Sequence, residues 1–155
     1  MELADILSEE SVLVCTDITT KHDVLARLAQ KVSDLTAQPA AEIFEALNDR
    51  ESLGSTGLGN GIAVPHGKFA AIKGVMAVFM KLDRPVDFDS VDDQPVDIVM
   101  MLLAPMGAGA DHLKALARVA RILRTDSIVD DLRRTSDPAR LYAILTQSMA
   151  ATRAA

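Results

Sequence analysis

The stretch Arg50-Glu51-Ser52-Leu53-Gly54-Ser55-Thr56-Gly57-Leu58-Gly59-Asn60-Gly61-Ile62-Ala63-Val64-Pro65-His66-Gly67-Lys68 decides how the rest of the chain is read. Five of the fourteen residues from 54 to 67 are glycine: Gly54, Gly57, Gly59, Gly61 and Gly67. Each glycine inside a helix costs about 1 kcal/mol relative to alanine, so no ordinary helix runs here. The pattern predicts a loop leading into a short buried strand, Ile62-Ala63-Val64, closed by Pro65 and His66. Standard phosphate motifs fail against it. A dinucleotide fingerprint counted from Gly57 or Gly59 meets Ile62 or Val64 where its third glycine is required. A P-loop fails because five residues separate Gly61 from Gly67 and Phe69 follows Lys68. No G-x-S-x-G elbow is present.

What remains is a glycine-rich loop that delivers a histidine. Pro65 fixes its own φ and pushes Val64 towards extended geometry, which holds His66 at a strand end on rigid backbone. Gly67 lets another molecule approach closely. A neutral imidazole nitrogen is a good nucleophile and can hold a phosphoryl group. Phosphoryl transfer then needs mainly positioning and donors around three oxygens. Candidate donors are the Arg50 fork, the hydroxyls of Ser55 and Thr56, and the backbone of the loop through Gly57, Gly59, Asn60 and Gly61. The competing reading is a tight surface turn with a chance histidine, and the spacing alone leaves both open.

Outward from this loop, strands and helices mix. Val12-Leu13-Val14 is a short strand candidate, and a helix is expected from about Thr20 to Leu35, with Thr20 and Asp23 resembling a capping box. Pro39 suits the first turn of a second helix that ends near Arg50. Val75–Leu82 and Val96–Ala104 are apolar with little alternation, as strands covered on both faces are. Asp83-Arg84-Pro85 and Asp92-Asp93-Gln94-Pro95 read as turns. A helix from about Asp111 to Arg124 should bury Leu113, Leu116, Ala117, Ala120 and Leu123, with Lys114, Arg118 and Arg121 on its opposite face. Asp126 starts a short helix, and Asp137-Pro138 starts the last one. These elements predict an α/β fold: a mixed, mostly buried sheet with helices on both faces. With no linker or repeat in view, residues 1–155 are expected to form one domain.

Lys plus Arg total 16 and Asp plus Glu 22, a formal net charge of −6, which argues against a nucleic-acid binder. The chain starts Met-Glu-Leu-Ala-Asp, without the basic start and apolar run of a signal peptide. Its run Ile98–Ala104 is too short to span a bilayer. A protein that is not membrane-embedded and resides in the cytoplasm is expected. The one cysteine, Cys15, suits a reducing compartment and reads as a small buried hydrophobe.

The motif Arg-Glu-x-x-Gly-x-Thr-Gly-x-Gly-x-Gly-Ile-Ala-x-Pro-His, at residues 50–66, resembles the signature of type-2 IIA domains. These belong to the bacterial phosphoenolpyruvate-dependent phosphotransferase system: the mannitol/fructose class and its nitrogen-related paralogue. The resemblance runs from Asp5-Ile6-Leu7 to the last helix. It implies that His66 is the phosphorylated residue and that a small histidine phosphocarrier is its donor. It also implies that His112 and Arg50 contact the phosphoryl group. Sugar-transporting members often carry an acid six residues before the active histidine, where this chain has Asn60. The segment Gly59–Lys68 resembles the nitrogen-related branch, whose phosphorylation state controls targets such as potassium transporters or sensor kinases.

His22 reads as a solvated helix residue, and Met76, Met80, Met100 and Met101 as core filler. Asp111 could cap its helix or orient His112. The histidines and Cys15 are too scattered for a recognisable metal set, so neither metal nor cofactor is expected. Three function classes stand at this point. They are a phosphoryl carrier and regulator, a stand-alone IIA component of a sugar uptake system passing phosphate to a IIB domain, and a non-catalytic anion-binding module.

Overall fold

The computed structural model describes residues 2–154, with side chains described for residues 2–146. Its centre is a six-stranded mixed sheet. β1 (Val12–Cys15) pairs in parallel with β5 (Met76–Val86), which pairs antiparallel with β6 (Val96–Ala104). On its other side β6 takes two parallel partners in succession, β3 (Ile62–Ala63) and β4 (His66–Lys68). β2 (Gly57–Gly59) completes the sheet antiparallel to β3.

The side-chain alternation of β6 divides the core in two. Ile98, Met100 and Leu102 face the layer of α3 (Gly109–Leu123), α4 (Asp126–Arg133) and α5 (Pro138–Ala154). Val99, Met101 and Leu103 face α1 (Lys21–Thr36) and α2 (Ala40–Ser52). All six are fully buried. That is why the strand reads as continuously apolar: a strand covered on both faces has no polar side to show. No described helix is long and apolar enough to cross a membrane.

Helix starts follow the sequence. The Thr20 hydroxyl accepts from the Asp23 N–H at 3.1 Å and caps α1, and Pro39, expected in the first turn of α2, stands one position earlier as its N-cap. Three expectations need correction. Asp83-Arg84-Pro85 lie within β5 instead of a turn. They sit where the β5–β6 register breaks between Lys81 and Val86, so the proline blocks no ladder bond. Gly57–Gly59 form a strand instead of loop, because Asn60-Gly61 make a hairpin turn with φ of 58° and 82°. Positive φ at both central positions is the requirement of the type I′ hairpin, which Asn-Gly meets best. Finally, α3 is rotated from the expected phase. It buries His112, Ala115, Val119, Ile122 and Leu123, while Leu113 is 69% exposed.

A buried carboxylate joins the two helices of one layer to the glycine-rich loop. Glu51, at the end of α2, is 6% exposed. Its Oε2 pairs with Lys21 Nζ at the start of α1 at 2.9 Å and accepts the Thr56 N–H at 3.3 Å. Its Oε1 accepts the Thr56 hydroxyl. Lys21 also lies 4.7 Å from the centre of the Phe88 ring. Removing one partner of a buried pair strands the other charge at a cost of about 3 kcal/mol or more. Lys21→Met should therefore lower unfolding free energy by about 3 kcal/mol in urea. Exposed Lys73→Met should change it by less than about 0.5 kcal/mol. Equal midpoints for the two variants would show that the Glu51 pair holds nothing.

Candidate phosphoryl site

Strand β6 sets the position of His66. The Gly61 carbonyl accepts from the N–H groups of Asp97 and Ile98 at 3.0 and 3.1 Å, and the Pro65 carbonyl accepts from Leu102 at 2.9 Å. His66 stands in register with Leu102. Pro65 has no N–H to donate and sits between the two short strands. The Val64 carbonyl accepts from the His66 ring instead, at Nδ1, 2.8 Å away. With the Nδ1 proton so engaged, the lone pair lies on Nε2.

His112 comes to the same place from α3. Its ring centre is 5.7 Å from that of His66, with the planes at 71°. His112 is 7% exposed, and its Nε2 is buried with no hydrogen-bond partner in the described residues. Burial is the main cause that lowers its pKa, with His66 and then the Lys68 charge adding to it. Asp111, in the same first turn, is exposed.

Both rings line a cavity of about 550 Å³, together with Asp49, Arg50, Leu53, Lys68, Gly109, Leu113 and Leu116. Arg50 reaches it from the last turn of α2, where its Nη1 donates to the Gly54 carbonyl at 2.9 Å. Leu53 and Leu113, 85% and 69% exposed, give the opening an apolar rim. The fold thus brings Arg50, His66 and His112 together.

The other candidates stand elsewhere. The Ser55 hydroxyl donates to the Phe88 carbonyl at 3.0 Å, and the Thr56 hydroxyl is held by Glu51. Gly57 packs where a Cβ would lie 2.5 Å from Ser90 Oγ. Gly59, Asn60 and Gly61 belong to the β2–β3 hairpin, whose end pairs with Ile98, four residues before Leu102 along β6. At about 3.3 Å per residue that places the hairpin some 13 Å from His66. There Arg133 donates to the Asn60 carbonyl at 2.6 Å and pairs with Asp97. None of these six residues lines the His66 cavity. Gly67 leaves room for the fold itself, since a Cβ there would stand 3.2 Å from the Ala46 carbonyl oxygen of α2. Among the described residues, no cluster of three His, Cys, Asp or Glu side chains suits a metal ion.

Lys68 and Asp49 are the charged lining residues that the sequence pattern did not bring forward. Residues i and i+2 of a strand share a face, so a strand assigned at 66–68 would have placed Lys68 beside His66.

Residues 5–148 match the family model for the phosphoenolpyruvate-dependent sugar phosphotransferase system, EIIA 2. A nitrogen regulatory protein of Bradyrhizobium diazoefficiens is 46% identical over 145 residues, covering 94% of this chain and 95% of that one. A nitrogen regulatory protein of Klebsiella oxytoca is 37% identical, covering 96% and 92%. The crystal structure of nitrogen regulatory protein IIA-Ntr from Neisseria meningitidis superposes with a TM-score of 0.88 at 33% identity, covering 93% and 99%. On this likeness of sequence and fold, the chain belongs to the EIIA type-2 family of the phosphoenolpyruvate-dependent phosphotransferase system, and the three relatives above carry the nitrogen regulatory name.

Proposed function

We propose that the chain is a phosphoryl carrier of the nitrogen-regulatory kind, charged at His66 by a histidine phosphocarrier and read by partner proteins in its two states. The observation that carries this reading is the His66 ring, tied at Nδ1, beside a buried His112 nitrogen that has no hydrogen-bond partner among the described residues. In transfer, the Nε2 lone pair attacks phosphorus. The bond to the donor's ring nitrogen breaks, and its electron pair stays on the donor. The proton stays on Nδ1, hydrogen-bonded to the Val64 carbonyl, whose dipole partly offsets the positive charge the ring gains. Arg50 and His112 offer N–H groups to the phosphoryl oxygens, which carry the developing charge. The exposed Leu53 and Leu113 suit the docking of a donor that presents its own apolar surface around its phosphohistidine. The carrier reading needs no metal or cofactor and implies a cytoplasmic site of action.

The upstream phosphocarriers and phosphoenolpyruvate should label wild type but not His66→Ala, with the acid-labile, alkali-stable signature of a phosphoramidate. NMR of ¹⁵N-labelled protein should place the phosphoryl group on Nε2. Label retained by His66→Ala would overturn the assignment. Arg50→Lys should not restore the Arg50→Ala transfer rate, because an ammonium lacks the planar fork.

His112 gives a second check. Its folded-state pKa lies below the unfolded value of about 6.5. The unfolded chain therefore binds this proton first as pH falls, and the site loses stability on acidification through that window. The titration midpoint of His112 by NMR should lie below 6.5 and rise once His66 carries a dianion. A midpoint unmoved by phosphorylation would separate His112 from the phosphoryl group.

Regulation follows from charge. The phosphoryl group adds about −1.5 to −2 charges at the mouth of the cavity. A target docking there should distinguish the two states by about 1–3 kcal/mol. Capture of partners by His66→Ala and by phosphorylated wild type should differ accordingly. Equal capture in both states, with efficient transfer to a sugar-specific IIB domain, would instead support a transport role.

A further inference from the structure

We propose that Lys68 is a third phosphoryl-binding residue, the uncommitted cation that makes the His66 cavity net positive. The inference rests on the carrier reading and adds a residue to its site. β4 is three residues long, and its alternation puts His66 and Lys68 on one face while Gly67 turns the other way, against Ala46 of α2. Lys68 is exposed and lines the same cavity as both histidines. It takes part in no salt bridge or side-chain hydrogen bond among the described residues. Its charge reaches His112, where it opposes protonation of the ring.

The charges lining the cavity explain why this residue matters. They are Asp49, Arg50 and Lys68. Asp49 and Arg50 cancel, so Lys68 supplies the whole of the +1 balance. Arg50 is in addition committed through Nη1 to the Gly54 carbonyl, whereas the Lys68 ammonium has three donors free. A group carrying nearly two negative charges then meets a positive cavity. Without Lys68 it would meet a neutral one, with a carboxylate nearby.

Charging with phosphoramidate tests this without a donor protein. The P–N bond to ammonia breaks, a P–N bond to Nε2 forms, and ammonia leaves. The relevant ³¹P signal is the one present in wild type and absent from His66→Ala. Its titration reports the second ionisation of the phosphoryl group, which a neighbouring cation lowers. Lys68→Met should raise that midpoint by about one unit. It should also shift the transfer equilibrium with a phosphocarrier about tenfold against the charged form at pH 8. Lys68→Arg should stay near wild type on both measures. Because Lys68 is exposed, the variants should keep the wild-type unfolding midpoint. A Lys68→Met midpoint within about 0.2 units of wild type, with an unchanged transfer equilibrium, would overturn the role of Lys68 alone. Failure of wild type to take phosphoryl at His66 from either source would overturn the carrier reading and this inference with it.

Discussion

A proline without an N–H, placed between two short strands that share one partner, governs the site. β3 and β4 both lie along β6, and Pro65 fills the step between them. Its carbonyl still joins the ladder through Leu102, but nothing at that position can donate. The Val64 carbonyl is taken by the His66 ring, and this fixes the ring's orientation and its tautomer together. The proposed nucleophile is thus oriented by backbone and not by another side chain. The rest of the sheet serves this arrangement by burying β6 on both faces.

The loop before His66 is held just as firmly, by polar groups inside the protein. Glu51 gathers Lys21, the Thr56 N–H and the Thr56 hydroxyl around one carboxylate. The loop's glycines have separate reasons. Gly57 makes room for Ser90, and Gly61 has both a positive φ and the Arg133 guanidinium 2.6 Å from where its Cβ would be. A composition that suggests a flexible phosphate cradle is here a set of packing and turn requirements, and the proposed phosphoryl site lies at the loop's far end.

The layers, the long strands β5 and β6, and the helix starts at Thr20 and Asp126 were legible, because apolar runs and caps are local signals. Arg50, His66 and His112 were legible as a set only through the resemblance of the 50–66 motif to a known family, since no local pattern links Arg50 to His112. The β2–β3 hairpin is hidden behind the glycine density of 54–67, which reads as a loop although Asn60-Gly61 is hairpin turn chemistry. The α3 phase was missed for a different reason. Leu113 is exposed at the rim of the cavity while His112 is buried, the reverse of their hydropathy. A helix that lends its first turn to a site gives up the apolar pattern there. Glu51 and Lys68 were passed over because their roles depend on neighbours distant in sequence or on a strand too short to recognise.

The division of the core by β6 has a mechanical consequence. Arg50 belongs to the α1–α2 layer and His112 to the α3–α5 layer, and each layer packs on its own face of the sheet. They meet only across the cavity at the sheet's edge. A phosphoryl group held by both would bridge two layers that pack on opposite faces of the sheet. On the proposed function, charging His66 would thus tie the two layers together at the cavity as well as change its charge.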